Sequence, residues 1–157
     1  MNLIYVLMAL LGGAGLSIQA AVNSRLSEGV GEQPIIATLI SFSVGTVCLL
    51  AIALAQTHWQ SVAQSITLQP WWHWIGGAIG ASIVFTSIFL APKLGIANTM
   101  FLFILGQLVM GMLIDSLGLI QMPVRPIFWW KPIGMGIMLI GLCLFMFGEG
   151  WFNQKHT

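Results

Sequence analysis

The sequence predicts an all-α integral membrane protein that crosses the bilayer five times. Of its 157 residues, 58% are hydrophobic and only 6% are charged, against roughly 25% charged residues in an ordinary soluble domain. Mean hydropathy is +0.96. Five Lys plus Arg and four Asp plus Glu cannot coat the surface of a folded chain this long, so most of that surface faces lipid. The apolar residues gather into five continuous stretches, each near the ~20 residues that carry a helix across ~30 Å of hydrocarbon.

The first span runs from about Leu3 to Val22, the second from Pro34 to Ala55 and the third from Trp72 to Ala91. The fourth covers Gly95 to Gly118 and the fifth Pro132 to Gly150, in a single transmembrane domain over residues 1–157. Within each, apolar residues run on without alternating, which disfavours a β-barrel. Met1 and Asn2 supply no cation, and the first stretch is longer than a signal-peptide core, so it reads as a retained span. Pro92, Lys93 and Leu94 alone link the third and fourth spans, which makes those two antiparallel neighbours. After the second span, Trp59, Val62, Ala63 and Ile66 recur at helical spacing, with Gln60, Ser61, Gln64 and Ser65 opposite them. This segment is either a short helix lying in the interface or an irregular loop anchored by its Trp. Pro123 and Pro126 make the connection before the fifth span irregular.

Several functions are excluded by what is missing. A net charge of +1 with scattered cations gives no field for nucleic acid. Cys48 and Cys143 lie in apolar runs and read as packing residues without a disulfide. His58, His73 and His156 are too dispersed to hold a metal. No phosphate loop or nucleophile set is present, so neither a cofactor nor an enzyme is implied. No ionisable side chain falls near the centre of a span, which removes a buried carboxylate relay and a voltage sensor.

Five spans put the termini on opposite sides, and the loops divide the cations almost evenly. Arg125 and Lys131 lie on the amino-terminal side, and Arg25, Lys93 and Lys155 on the other. The positive-inside bias is therefore weak. Either the three-cation side is cytoplasmic or the chain inserts both ways, and dual insertion would supply both halves of an antiparallel dimer. Trp59, Trp71, Trp72, Trp74, Trp129 and Trp130 fall at one interface and Trp151 at the other.

Helices in lipid associate through small residues and polar contacts. Gly134, Gly141 and Gly148 form one stripe on the fifth span, and Gly76, Gly80 and Ser87 another on the third, both suited to receive a helix. The informative polar residues are Gln19 and Asn23 on the first span, Ser41 on the second, and Asn98, Gln107 and Asp115 on the fourth. Thr38, Ser41, Thr86 and Ser87 can each return a bond to their own helix. An amide demands more: Gln107 sits near mid-depth and must face protein, water or ligand. It is either interhelical glue or a substrate contact. Asp115, near a helix end, is a hydrated anchor, a partner for Arg125 or a proton carrier. Arg25 and Glu28 form a surface pair of little worth, and Glu149 is a terminal interfacial charge.

Residues 15–26 (GLSIQAAVNSRL), residues 37–46 (ATLISFSVGT), Trp71-Trp72 before Gly76-Gly77, residues 91–95 (APKLG) and Gly106-Gln107 with Asp115 together resemble the YdcZ-type branch of the drug/metabolite transporter superfamily. The resemblance covers nearly the whole chain through the order and spacing of these motifs. It implies a bacterial inner-membrane protein of five helices, corresponding to half of an inverted-repeat transporter, that completes itself by pairing with an inverted copy or a paralogue. It also places Gln19, Asn23, Gln107 and Asp115 at recurrent polar positions. The chain lacks the first-span carboxylate on which four-helix small multidrug resistance relatives rely, so their proton exchange does not carry over. The function expected is a subunit of a small-molecule exporter with a pathway lined by Gln19, Asn23, Ser41, Asn98, Gln107 and Asp115. The rival is a non-transporting membrane subunit whose glycine seams bind another membrane protein.

Overall fold

The computed structural model describes residues 2–152; Lys155 and His156 lie outside the described residues, as do the side chains of Glu149 and Trp151. All regular structure among the described residues is helical. The elements are α1 (Leu3–Gly29), α2 (Pro34–Gln56), α3 (Trp59–Ile66), α4 (Ile75–Leu94), α5 (Ile96–Leu117) and α6 (Trp130–Phe152). A turn of 3-10 helix, Trp71–Trp74, leads into α4. All but α3 belong to segments long and apolar enough to cross a membrane, five in total.

The helix ends follow local chemistry. Asn2 opens α1, its Oδ1 accepting from the Ile4 amide at 3.3 Å, and Pro34 occupies the first turn of α2, where its missing N–H costs nothing. Trp59 to Ile66 form a helix rather than an irregular loop. Gly118, at φ +61, closes α5 in a left-handed conformation suited to glycine.

Two boundaries differ from the sequence expectation. α1 continues past Val22 to Gly29, and its 27 residues make about 40 Å at ~1.5 Å per residue. That exceeds the hydrocarbon thickness, so the last turns carry their polar residues into the interface. There Arg25 Nη1 donates to Glu28 Oε2 at 2.7 Å across an exposed i,i+3 pair. α4 runs through Pro92 to Leu94, because a proline φ suits a helix and its missing amide removes only one bond near the end. The α4–α5 connection shrinks to Gly95, at φ +83.

The chain divides into two compact units, Met1–Ile96 and Ala97–Thr157. In the first, α1, α2 and α4 pack against one another. Ala20, Asn23, Ser24 and Ser27 are the buried residues of α1, and all lie in its second half. They are joined by Ala37 and Thr38 at the start of α2 and by Ser87, Ile88 and Ala91 near the end of α4. Burial thus concentrates where the α1–α2 connection lies, and small side chains there let the backbones approach. Hydroxyls in this region mostly serve their own helices: Thr38 donates to the Pro34 carbonyl at 2.8 Å, Thr86 to Ser82 at 2.7 Å and Ser87 to Val84 at 2.8 Å.

In the second unit, no Cα of α5 lies within 8 Å of a Cα of α6 among the described residues. Side chains bridge the gap, with the Phe101 and Phe145 rings 5.0 Å apart. The connector after α5 turns back through Leu119–Gln121, and the Arg125 amide donates to the Asp115 carbonyl at 2.7 Å.

The glycine stripes are largely open within the chain. A Cβ at Gly76, Gly134 or Gly141 would meet nothing within 4 Å, whereas one at Gly80 would touch the Phe42 ring at 3.8 Å. Gly148 is buried. Cys48 and Cys143 are free and exposed rather than packed into a core.

Candidate functional site

A groove in the second unit lies between α5 and α6. Gln107, Gly111 and Asp115 recur one turn apart and so present one face of α5. That face lines a groove of about 410 Å³. Across it stand Lys131, Met135 and Met138 from the first turns of α6. The groove exists because the two helix backbones stand apart and Gly111 adds no side chain to fill the gap.

Its chemistry is graded along its length. Asp115 and Lys131 sit at helix ends, where carboxylate and ammonium reach the membrane interface. Gln107 lies eight residues deeper along α5, about 12 Å at ~1.5 Å per residue, and is exposed on the helix surface. Methionine thioethers give the intervening wall a flexible apolar lining that adapts to different shapes. The Asp115 carbonyl accepts from the Arg125 amide, and Asp115 is one of the residues lining the groove.

The six residues expected from the sequence take different environments. Gln19 is exposed on α1, Asn23 is 4% exposed, and Ser41 is half-buried on α2. Asn98 is half-buried at the start of α5, beside the fully buried Thr99. Gln107 and Asp115 share the α5–α6 groove. Asn23 stands out energetically, because its Nδ2 is buried without a hydrogen-bond partner, a state few native polar groups occupy.

Sequence reasoning passed over a second group. Ser24, Ser27, Glu32 and Lys93 line one cleft of the first unit. A signal was available in α1, where Ala20, Asn23, Ser24 and Ser27 follow a three-to-four residue spacing and mark one buried face of small and polar side chains. Glu32 and Lys93 gave none, since one lies in the α1–α2 connection and the other in the last turn of α4, and only the fold brings them to the same cleft.

Helices that expose apolar side chains over most of their length, interrupted by amides and bordered by sparse charges, define a multi-pass membrane protein. Residues 4–144 match the family described as "Putative inner membrane exporter, YdcZ", and the chain belongs to that family. A curated relative, the "Inner membrane protein YdcZ" of Escherichia coli (strain K12), is 28% identical over 128 residues, covering 82% of this chain and 84% of the relative. No solved structure matches the chain. The chain is accordingly a multi-pass inner membrane protein, and the family supports a membrane transporter or exporter role and points away from an enzyme.

Proposed function

We propose that this chain is one half of a small-molecule exporter, completed by a second copy or a paralogue inserted upside down. The observation that carries the reading is Gln107, an exposed carboxamide near the middle of α5. A polar group left to hydrocarbon there costs several kcal/mol. Gln107 is therefore met by water, ligand or another protein, and its groove also holds Asp115 and Lys131. Open glycines at 134 and 141 on α6 offer a close-packing surface for a second helix, and the near-even split of five cations weakens the bias toward one orientation. In this arrangement Gln19, Asn23, Ser41, Asn98, Gln107 and Asp115 line the pathway, and alternating access comes from one protomer rocking against the other.

The test is topological. Fuse to the C-terminus one reporter active only in the cytoplasm and another active only outside it, and compare their signals. Comparable activity from both is expected for a self-paired inverted dimer. A single silent reporter eliminates self-pairing, and a protein that then co-isolates with an unrelated membrane complex instead of a paralogue eliminates the half-exporter itself.

A further inference from the structure

Between the last turns of α1, the start of α2 and the last turns of α4 lies a cleft of about 550 Å³, within the size range of small-molecule sites. Its inner wall carries two hydroxyls. Ser24 is 8% exposed and Ser27 is 6% exposed; both line the cleft. Thr38, Thr86 and Ser87 return their hydroxyls to their own helices. Among the described residues, Ser24 and Ser27 make no such bond. Their residues are buried and line the cleft, so hydroxyls not engaged by their own helix are available to a guest there.

The charges around the opening are balanced. Glu28, Glu32 and Lys93 line the cleft; Glu28 accepts from Arg25, outside the lining, at 2.7 Å, so Glu32 and Lys93 are the lining charges not joined in that pair. Glu32 is held at φ +56, a conformation that residues other than glycine rarely adopt. The Lys93 ammonium stands 3.4 Å from the centroid of the Phe89 ring. Phe85 and Phe89 stack with centroids 6.2 Å apart and supply an aromatic wall.

We infer that this cleft binds a zwitterion, a primary ammonium and a carboxylate on one small skeleton with an apolar side group. The ammonium faces Glu32 and gives its protons to the Ser24 and Ser27 oxygens, the carboxylate faces Lys93, and the apolar group lies on Phe85 and Phe89. A guest of single charge leaves either Glu32 or Lys93 partly desolvated and unmatched. A quaternary ammonium has no N–H for the serines. The inference rests on the exporter reading for its biological use, since it names the class of cargo, but binding is measurable without transport.

Calorimetric titration of the full-length chain in lipid nanodiscs tests it with three probes: phenylalanine, phenethylamine, which lacks the carboxylate, and 3-phenylpropionate, which lacks the ammonium. Phenylalanine is expected to bind about tenfold more tightly than either, the worth of one charge-assisted contact. Glu32→Gln removes its advantage over 3-phenylpropionate and keeps its advantage over phenethylamine; Lys93→Met does the reverse. Both side chains are exposed, so the variants keep their helix content, checked by circular dichroism. Equal affinity for the three probes, no saturable heat with phenylalanine, or unchanged preferences in both variants overturns the inference. The C-terminal reporters respond to none of these substitutions, so the cleft and the inverted pair can fail separately.

Discussion

Replacing Asn23 with alanine is expected to make the protein more stable, although it removes a side chain from the packed region of α1. The Asn23 Nδ2 is buried without a partner, in a residue only 4% exposed. A donor in that state costs about 1–3 kcal/mol, and alanine exceeds asparagine in helix propensity by about 0.5 kcal/mol. Against these stands the loss of three heavy atoms from a tight contact, about 1 kcal/mol. The net is a gain of about 1.5 kcal/mol, or roughly 3–6 °C in apparent Tm at ~2–4 °C per kcal/mol. Tryptophan fluorescence during thermal unfolding in detergent measures it.

Thr38 supplies the control, since it too is buried but its hydroxyl is satisfied at 2.8 Å. Thr38→Ala is expected to give no gain. If Asn23→Ala lowers the apparent Tm by as much as the predicted rise, the amide has a partner in the folded protein and the reasoning is refuted. A stable Asn23→Ala protein that has lost its ligand-induced thermal shift would show that the position is kept polar for binding, at a cost to the fold.

Gly118→Ala is expected to destabilise by about 2 kcal/mol, since an L side chain at φ +61 is strained and its Cβ would lie 2.7 Å from Val124 Cγ2; Gly12→Ala, with nothing within 4 Å, should be neutral or better in the same melt. Ile120 is β-branched at φ 58, so Ile120→Asn is expected to raise stability by about 1 kcal/mol, and an unchanged Tm would count against a left-handed residue there. Arg25→Ala should shift stability by less than about 0.5 kcal/mol, because its pair with Glu28 is exposed and screened; a larger drop would mean that Arg25 holds something besides Glu28.

The spans were legible because each is set by one strong, local signal, a run of apolar residues about as long as the bilayer is thick. Trp59, Val62, Ala63 and Ile66 carried a helical spacing that left a helix and a loop both open, and the structure forms the helix, α3. Less legible were ends governed by backbone conformation. Pro92 reads as a stop in sequence, but Gly95 at φ +83 is where the helix ends, since a proline in a last turn costs only one amide bond. Glycine stripes suited to close packing were visible, yet a sequence cannot say whether a helix that would fill them belongs to the same chain. A Cβ at Gly80 would lie 3.8 Å from the Phe42 ring, whereas one at Gly134 or Gly141 would meet nothing within 4 Å.

The candidate site shows why face and depth must be read together. Gln19 and Asn23 are one turn apart on α1, so periodicity assigns them a common environment, and yet Gln19 is exposed while Asn23 is buried. The buried residues of α1 begin at Ala20 and end at Ser27, matching the start of α2 and the end of α4 where burial also concentrates. A polar residue's surroundings therefore change along a single face with its distance from that packed end. One turn separates a surface amide from a buried one without a partner, and no periodicity argument detects the step because it depends on how three helices separated in sequence come together. The same convergence brings Ser24 and Ser27 to a cleft lined by Glu32 and Lys93, which is why these residues looked unconnected in the sequence.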